Sequence, residues 1–154
     1  MNWYLAEVHA NREAIVAYTM RCLGIEPFLP LILRMERIST RTKRRELAAV
    51  PALQGYLFFR TEPEWITDVD AIRDVKGIFK ASDKLAYATI PDREMQSFIL
   101  ANDKWHEQAL KAHMCRREIR PANKPKFKAM TEDTLKEIMA TLFPAEAMDL
   151  AEVA

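Results

Sequence analysis

The 154-residue chain holds only three glycines and two cysteines, and its formal net charge is +1. Each scarcity narrows the reading. There is no glycine-rich phosphate loop and no Gly-x-Ser-x-Gly elbow, so two common seats of enzymatic chemistry are missing. Cys22 and Cys115 lie far apart and form no CxxC pair, which suits a reduced cytoplasm better than a disulfide scaffold; both read as buried thiols. His9, His106 and His113 have no metal-site spacing, so no catalytic residue, metal or cofactor is expected. No run approaches the roughly 20 apolar residues that cross a bilayer, and the start, Met-Asn-Trp-Tyr-Leu-Ala-Glu, lacks a basic region and a long apolar region. The chain therefore reads as soluble, unexported and cytoplasmic, with no membrane partner. A charge this close to zero excludes a generally basic protein and leaves only local clusters of Lys and Arg for nucleic-acid contact.

What remains is an apolar content of 49%, enough for one domain with its own core. Trp3 to Val8 reads as a strand. Asn11 then offers an N-cap to a helix whose apolar residues Ile15, Tyr18 and Cys22 recur at helical spacing, and Gly24 stops it. Pro27 and Pro30 punctuate an extended stretch to about Ile38. Between Arg34 and Arg45 the chain carries Arg34, Arg37, Arg41, Lys43, Arg44 and Arg45 against the single acid Glu36. Ser39-Thr40-Arg41-Thr42 is polar enough to turn, so a protruding basic hairpin or loop is expected before the next strand, Tyr56 to Arg60. A solvated loop is the plainer alternative.

Pro63-Glu64-Trp65 opens a short helix to about Arg73, and Lys76-Gly77-Ile78-Phe79 returns to strand. Pro91-Asp92 starts a long helix to about Arg117, with Met95, Phe98, Ile99, Trp105 and Ala109 on its buried face. Pro121 and Pro125 break the chain among Arg120, Lys124, Lys126 and Lys128, and Thr131 caps a last helix ending before Pro144. The predicted architecture is α+β: a mostly antiparallel four-stranded sheet packed with helices over residues 1–118, and a helical C-terminal extension over 119–154.

Trp3-Tyr4, Leu53-Gln54-Gly55-Tyr56-Leu57-Phe58-Phe59 and Val75-Lys76-Gly77-Ile78, in that order, resemble the landmarks of the NusG amino-terminal domain family, which includes RfaH-like factors. The resemblance covers about residues 2 to 110. Two departures stand out. Gln54 occupies the position of the proline usual before the Gly-Tyr pair, and no carboxyl-terminal KOW barrel is visible, because the last 60 residues lack glycine and read as helices.

The resemblance implies a transcription elongation or antitermination regulator that acts as a monomer and is not an enzyme. Its implied partner is bacterial RNA polymerase, gripped at the clamp helices of the largest subunit by an apolar sheet face. Tyr56 and Phe58 are the leading candidates for that contact, with Ile78 and Phe79 completing the floor; residue type alone also allows all four to be core. Thr67 is the candidate for the gate-loop contact across the cleft. Arg12, Arg21, Arg34, Arg37, Arg41, Lys43, Arg44, Arg45 and Lys76 are candidates for upstream or non-template DNA. The alternative from another class is an RRM-like module for single-stranded RNA, because Gln54-Gly55-Tyr56-Leu57-Phe58-Phe59 partly resembles an RNP1 strand. The C-terminal helices either contact a partner or fold back over apolar surface through Leu135, Ile138, Met139 and Leu142.

Overall fold

The computed structural model describes residues 1–82 and 85–114. Among them the chain forms β1 (Asn2–Val8), α1 (Glu13–Cys22), β2 (Glu26–Phe28), β3 (Leu31–Arg37), β4 (Arg45–Pro51), β5 (Tyr56–Thr61), a 3-10 turn at Pro63–Trp65, α2 (Ile66–Asp70), β6 (Val75–Ile78) and α3 (Asp92–Met114). A four-stranded sheet runs β2-β5-β1-β6, and a separate two-stranded sheet is the β3-β4 hairpin. All the pairings are antiparallel. The α+β expectation holds, with the four-stranded sheet between helices.

The central strands are apolar without a break from Trp3 to Ala6 in β1 and from Tyr56 to Phe59 in β5, the pattern of a strand covered on both faces. Successive side chains alternate. Trp3, Leu5 and Phe58 join Leu53, Phe79, Ile90, Met95, Phe98 and Ala101 in the layer beneath α3. Tyr4, Ala6, Leu57 and Phe59 face the other way, against Val16, Ala17 and Met20 of α1 and Ile66 and Val69 of α2. The start of α3 is pinned to the sheet where the buried Trp3 indole Nε1–H donates to Asp92 Oδ1 at 3.0 Å. Burying an indole is cheap only when that N–H has an acceptor.

Helix α1 differs from its sequence reading in two ways. Asn11 is not its N-cap: it adopts φ 65, Arg12 holds the cap position, and no side chain caps the helix. The Asn11 carboxamide is engaged elsewhere, accepting from Gln54 Nε2 at 2.8 Å. Nor does the Ile15, Tyr18, Cys22 stripe face inward. The buried side is Glu13, Val16, Ala17 and Met20, which leaves those three residues exposed, so the expectation of a buried Cys22 thiol is corrected. Helical spacing is common to both arcs of a helix, so spacing alone does not say which arc meets the sheet. Cys115 lies outside the described residues.

The expected stop at Gly24 is observed. Its φ of +78 lets Gly24 N–H donate to Arg21 O at 3.0 Å and Ile25 N–H to Met20 O at 2.9 Å, closing α1 with a Schellman motif whose apolar pair, Met20 and Ile25, is buried. The basic segment is a true hairpin, with Leu31 opposite Pro51 and Arg37 opposite Arg45. Its return strand β4 is an addition to the expected elements, since the sequence places the next strand only at Tyr56. Asn102 Nδ2 of α3 donates to Leu31 O at 3.1 Å and fixes the base of the hairpin to the domain. The Pro63 helix is shorter than expected, ending at Asp70. The expected C-terminal extension, with Leu135, Ile138, Met139 and Leu142, lies outside the described residues.

Candidate functional site

The turn before β5 decides where the aromatic candidates sit. Gly55 has φ +91, a conformation that disfavours any side chain, and a Cβ there would lie 3.3 Å from the Val8 carbonyl oxygen. Its carbonyl accepts from Val8 N–H at 2.8 Å. Its own N–H donates to Glu13 Oε1 at 2.7 Å, and Glu13 is 2% exposed. Together with the Gln54 to Asn11 bond, two side-chain contacts clamp the turn to the beginning of α1. Gln54, the departure from the proline pattern, therefore has a structural task that proline lacks the donor to perform.

From this turn β5 projects Tyr56 and Phe58 onto the α3 side. Phe58 is 1% exposed, packed 6.1 Å centroid to centroid from Phe28. Phe79 is equally buried on the same side, its ring 5.9 Å from Tyr56. Ile78 points to the opposite layer and is buried between the sheet and α1 and α2. Of the four clamp candidates only Tyr56 retains partial exposure, joined at the edge of the cluster by Phe28 and Ile99. Burial is the main cause that raises the Tyr56 phenol above its ordinary pKa, and the Glu7 carboxylate adds to it. Phe28 is absent from the sequence-based candidates, because the flanking prolines are the only local signal there. Its strand pairing with Phe58 brings it to the rim.

The charged candidates separate into a coherent group and three outliers. Arg34 is bonded to Glu36 on its own strand, and Arg44 Nη2 lies 2.9 Å from Glu46 Oε1. Arg37, Arg41, Lys43 and Arg45 are exposed around the hairpin tip, and among the described residues none of them makes an ion pair. A cleft lined by Asn11, Arg34, Glu36, Val50, Pro51 and Gln54 runs from the hairpin base to the start of α1. Arg12 and Arg21 are exposed at the two ends of α1, and Lys76 on β6 lies 3.8 Å from Glu7. Those three are not part of the hairpin. Thr67 is exposed on α2.

Among the described residues, no group of three or more His, Cys, Asp or Glu side chains is arranged to hold a metal ion, and no helix is long and apolar enough to cross a membrane. The described residues define an α+β domain with an aromatic rim at the edge of one sheet face and a basic hairpin. The chain belongs to the NusG family of transcription factors: the family described as "Transcription termination factor nusG" matches residues 1–99. Among solved structures it is similar to that of Thermotoga maritima NusG, reported for its domain interaction, at 20% identity and a TM-score of 0.39, with 62% of this chain and 54% of that chain covered. It is also similar to the N-terminal domain of NusG from Methanocaldococcus jannaschii, at 14% identity and a TM-score of 0.33, with 61% of this chain and 95% of that chain covered. The chain thus spans about half the length of the Thermotoga protein. No curated protein matches its sequence.

Proposed function

We propose that this chain binds bacterial RNA polymerase and modulates pausing or termination, gripping the clamp helices of the largest subunit at the rim formed by Tyr56, Phe28 and Ile99. The observation that carries the proposal is a half-buried tyrosine on an aromatic bed, in a chain of the NusG family. Phe58 and Phe79 form that bed and hold Tyr56 in place without touching the partner, while Ile78 supports the sheet from behind. An amphipathic partner helix meets such a surface through a few apolar anchors. Thr67 is the candidate for the second contact, across the cleft. A domain that holds both sides favours the closed clamp. A binding preference of about 1.4 kcal/mol for that state shifts the closed-to-paused ratio tenfold without any chemistry.

The test is binding to an isolated clamp-helix fragment. Tyr56→Ala is expected to weaken it about tenfold or more, with its far-ultraviolet circular dichroism unchanged. Failure of the wild-type chain to bind the fragment would sink the proposal. The RNA-binding alternative finds less support, because base stacking needs an open ring face and Phe58 is 1% exposed.

The hairpin tip supports a second element of the same reading, phosphate contact with upstream or non-template DNA. Arg37, Arg41, Lys43 and Arg45 are its principal residues. Arg12, Arg21, Arg34, Arg44 and Lys76 contribute less, since they lie elsewhere or already face a carboxylate. Removing one phosphate-binding cation lowers the slope of log affinity against log salt by about one. Replacing the four tip residues with glutamine is expected to flatten that slope for a duplex probe accordingly, and an unchanged slope would remove the hairpin from the interface.

A further inference from the structure

A carboxylate stands beside the rim tyrosine. In the β1–β5 ladder Glu7 lies directly opposite Tyr56, and side chains paired in this way have Cβ atoms about 4.5–5.5 Å apart on one face of the sheet. The alternation of β1 fixes which face. Trp3 and Leu5 belong to the layer beneath α3, whereas Tyr4, Ala6 and Val8 belong to the opposite layer, so Glu7 shares the α3 side with Tyr56, Phe58 and Phe28. The phenol responds to this neighbour: after burial, the Glu7 carboxylate is the second cause that raises the Tyr56 pKa. An apolar floor for a helix has no need of an acid at that place.

Within the chain the carboxylate is only loosely engaged. Among the described residues its one ion-pair partner is Lys76 on β6, whose Nζ lies 3.8 Å from Oε1, whereas a charge-assisted hydrogen bond closes to about 2.7–2.9 Å. The Glu7 side chain is 28% exposed, so a cation approaching over the rim can reach it. A helix seated on Tyr56, Phe28 and Ile99 would strip water from this carboxylate, and covering it with apolar or acidic side chains would cost affinity. The complement is a basic residue at the edge of the apolar anchor. Resting on the clamp-binding reading, we infer that Glu7 is the specificity-determining residue of the rim: it selects a partner helix whose apolar anchor is flanked by an arginine or lysine. Arginine is favoured, because its planar fork takes both carboxylate oxygens. Glu7 thereby rejects helices with an acid at that position, a discrimination that apolar contacts alone do not supply.

The test is a double-mutant cycle on binding of the full chain to the isolated clamp-helix fragment. Glu7→Gln, nearly the same shape without the charge, is expected to weaken binding about fivefold or more and to make it less sensitive to salt, with far-ultraviolet circular dichroism unchanged. Each basic residue of the fragment is then changed to glutamate in turn. One such change should weaken binding to the unaltered chain, lose most of its effect against Glu7→Gln, and be compensated by Glu7→Lys, a rescue that a merely structural Glu7 does not give. Should Glu7→Lys fail to fold, the coupling between Glu7→Gln and the fragment series decides. Binding by the unaltered chain with no fragment charge coupled to Glu7 overturns the inference and leaves the rim as the polymerase contact. An unaltered chain that does not bind the fragment removes that reading and the inference together.

Discussion

Phe58→Ala is expected to destabilise the fold by about 3–5 kcal/mol, measured as a lowered urea midpoint with little change in slope. Phe58 is 1% exposed, sits at the centre of the larger sheet, and contributes to the layer with Trp3, Leu5, Met95 and Phe98. Truncating it removes most of a buried ring and leaves a space that β5 and α3, tied to β1 through the ladder and the Trp3 to Asp92 bond, have little freedom to collapse into. The size of the effect also governs how binding data are read. For a domain of typical stability, about 3–5 kcal/mol is a large fraction of the total, so weak polymerase binding by a Phe58 variant reports unfolding before it reports contact. Tyr56, half-buried at the rim, separates the two: its truncation removes exposed ring at smaller cost to the fold. A Phe58→Ala effect below about 1 kcal/mol would show that the α3 layer is loose enough to open, and would make Phe58 a contact residue after all.

The same pair of residues shows how far the sequence can be read. The consecutive apolar residues along Tyr56-Leu57-Phe58-Phe59 identify a strand with two apolar faces, one for the helices and one for either the core or a partner. Which side is closed cannot be read there. Phe58 is closed off by Ile90, Met95 and Phe98, some 30 to 40 positions later in the chain, and only the packing of α3 determines that Tyr56 stays at the rim. Gly24 is legible because a left-handed C′ residue leaves a local signature. Strand β4 is not. Arg45-Glu46-Leu47-Ala48-Ala49-Val50-Pro51 has charged and small residues of weak strand preference, and it is extended because β3 pairs with it residue for residue. Likewise, the basic cluster is visible as composition, yet its internal pairs, Arg34 with Glu36 and Arg44 with Glu46, lie two residues apart and meet on one face only because the backbone there is extended.

Glu13 is the residue whose role is hardest to see in the sequence and whose removal is expected to matter next most. An acid in the first turn of a helix ordinarily reads as an exposed partner of the helix dipole. Here it is buried, and its Oε1 accepts the Gly55 N–H from 42 positions away. Glu13→Ala is expected to cost about 2–3 kcal/mol, since it deprives a buried donor of a charged acceptor and leaves that donor unmatched. Glu13→Gln keeps an acceptor oxygen in place and should cost about 1 kcal/mol. Hydrogen exchange distinguishes the cause: in the alanine variant the Gly55 amide should lose protection while amides in the middle of β1 and β5 keep most of theirs. Unchanged Gly55 protection would mean that the carboxylate does not hold the turn. Because Gly55 directly precedes Tyr56, loosening this bond frees the backbone that aims the rim tyrosine. Glu13→Gln is therefore expected to weaken clamp-fragment binding by a few fold, less than Tyr56→Ala does, although Glu13 is buried in the first turn of α1.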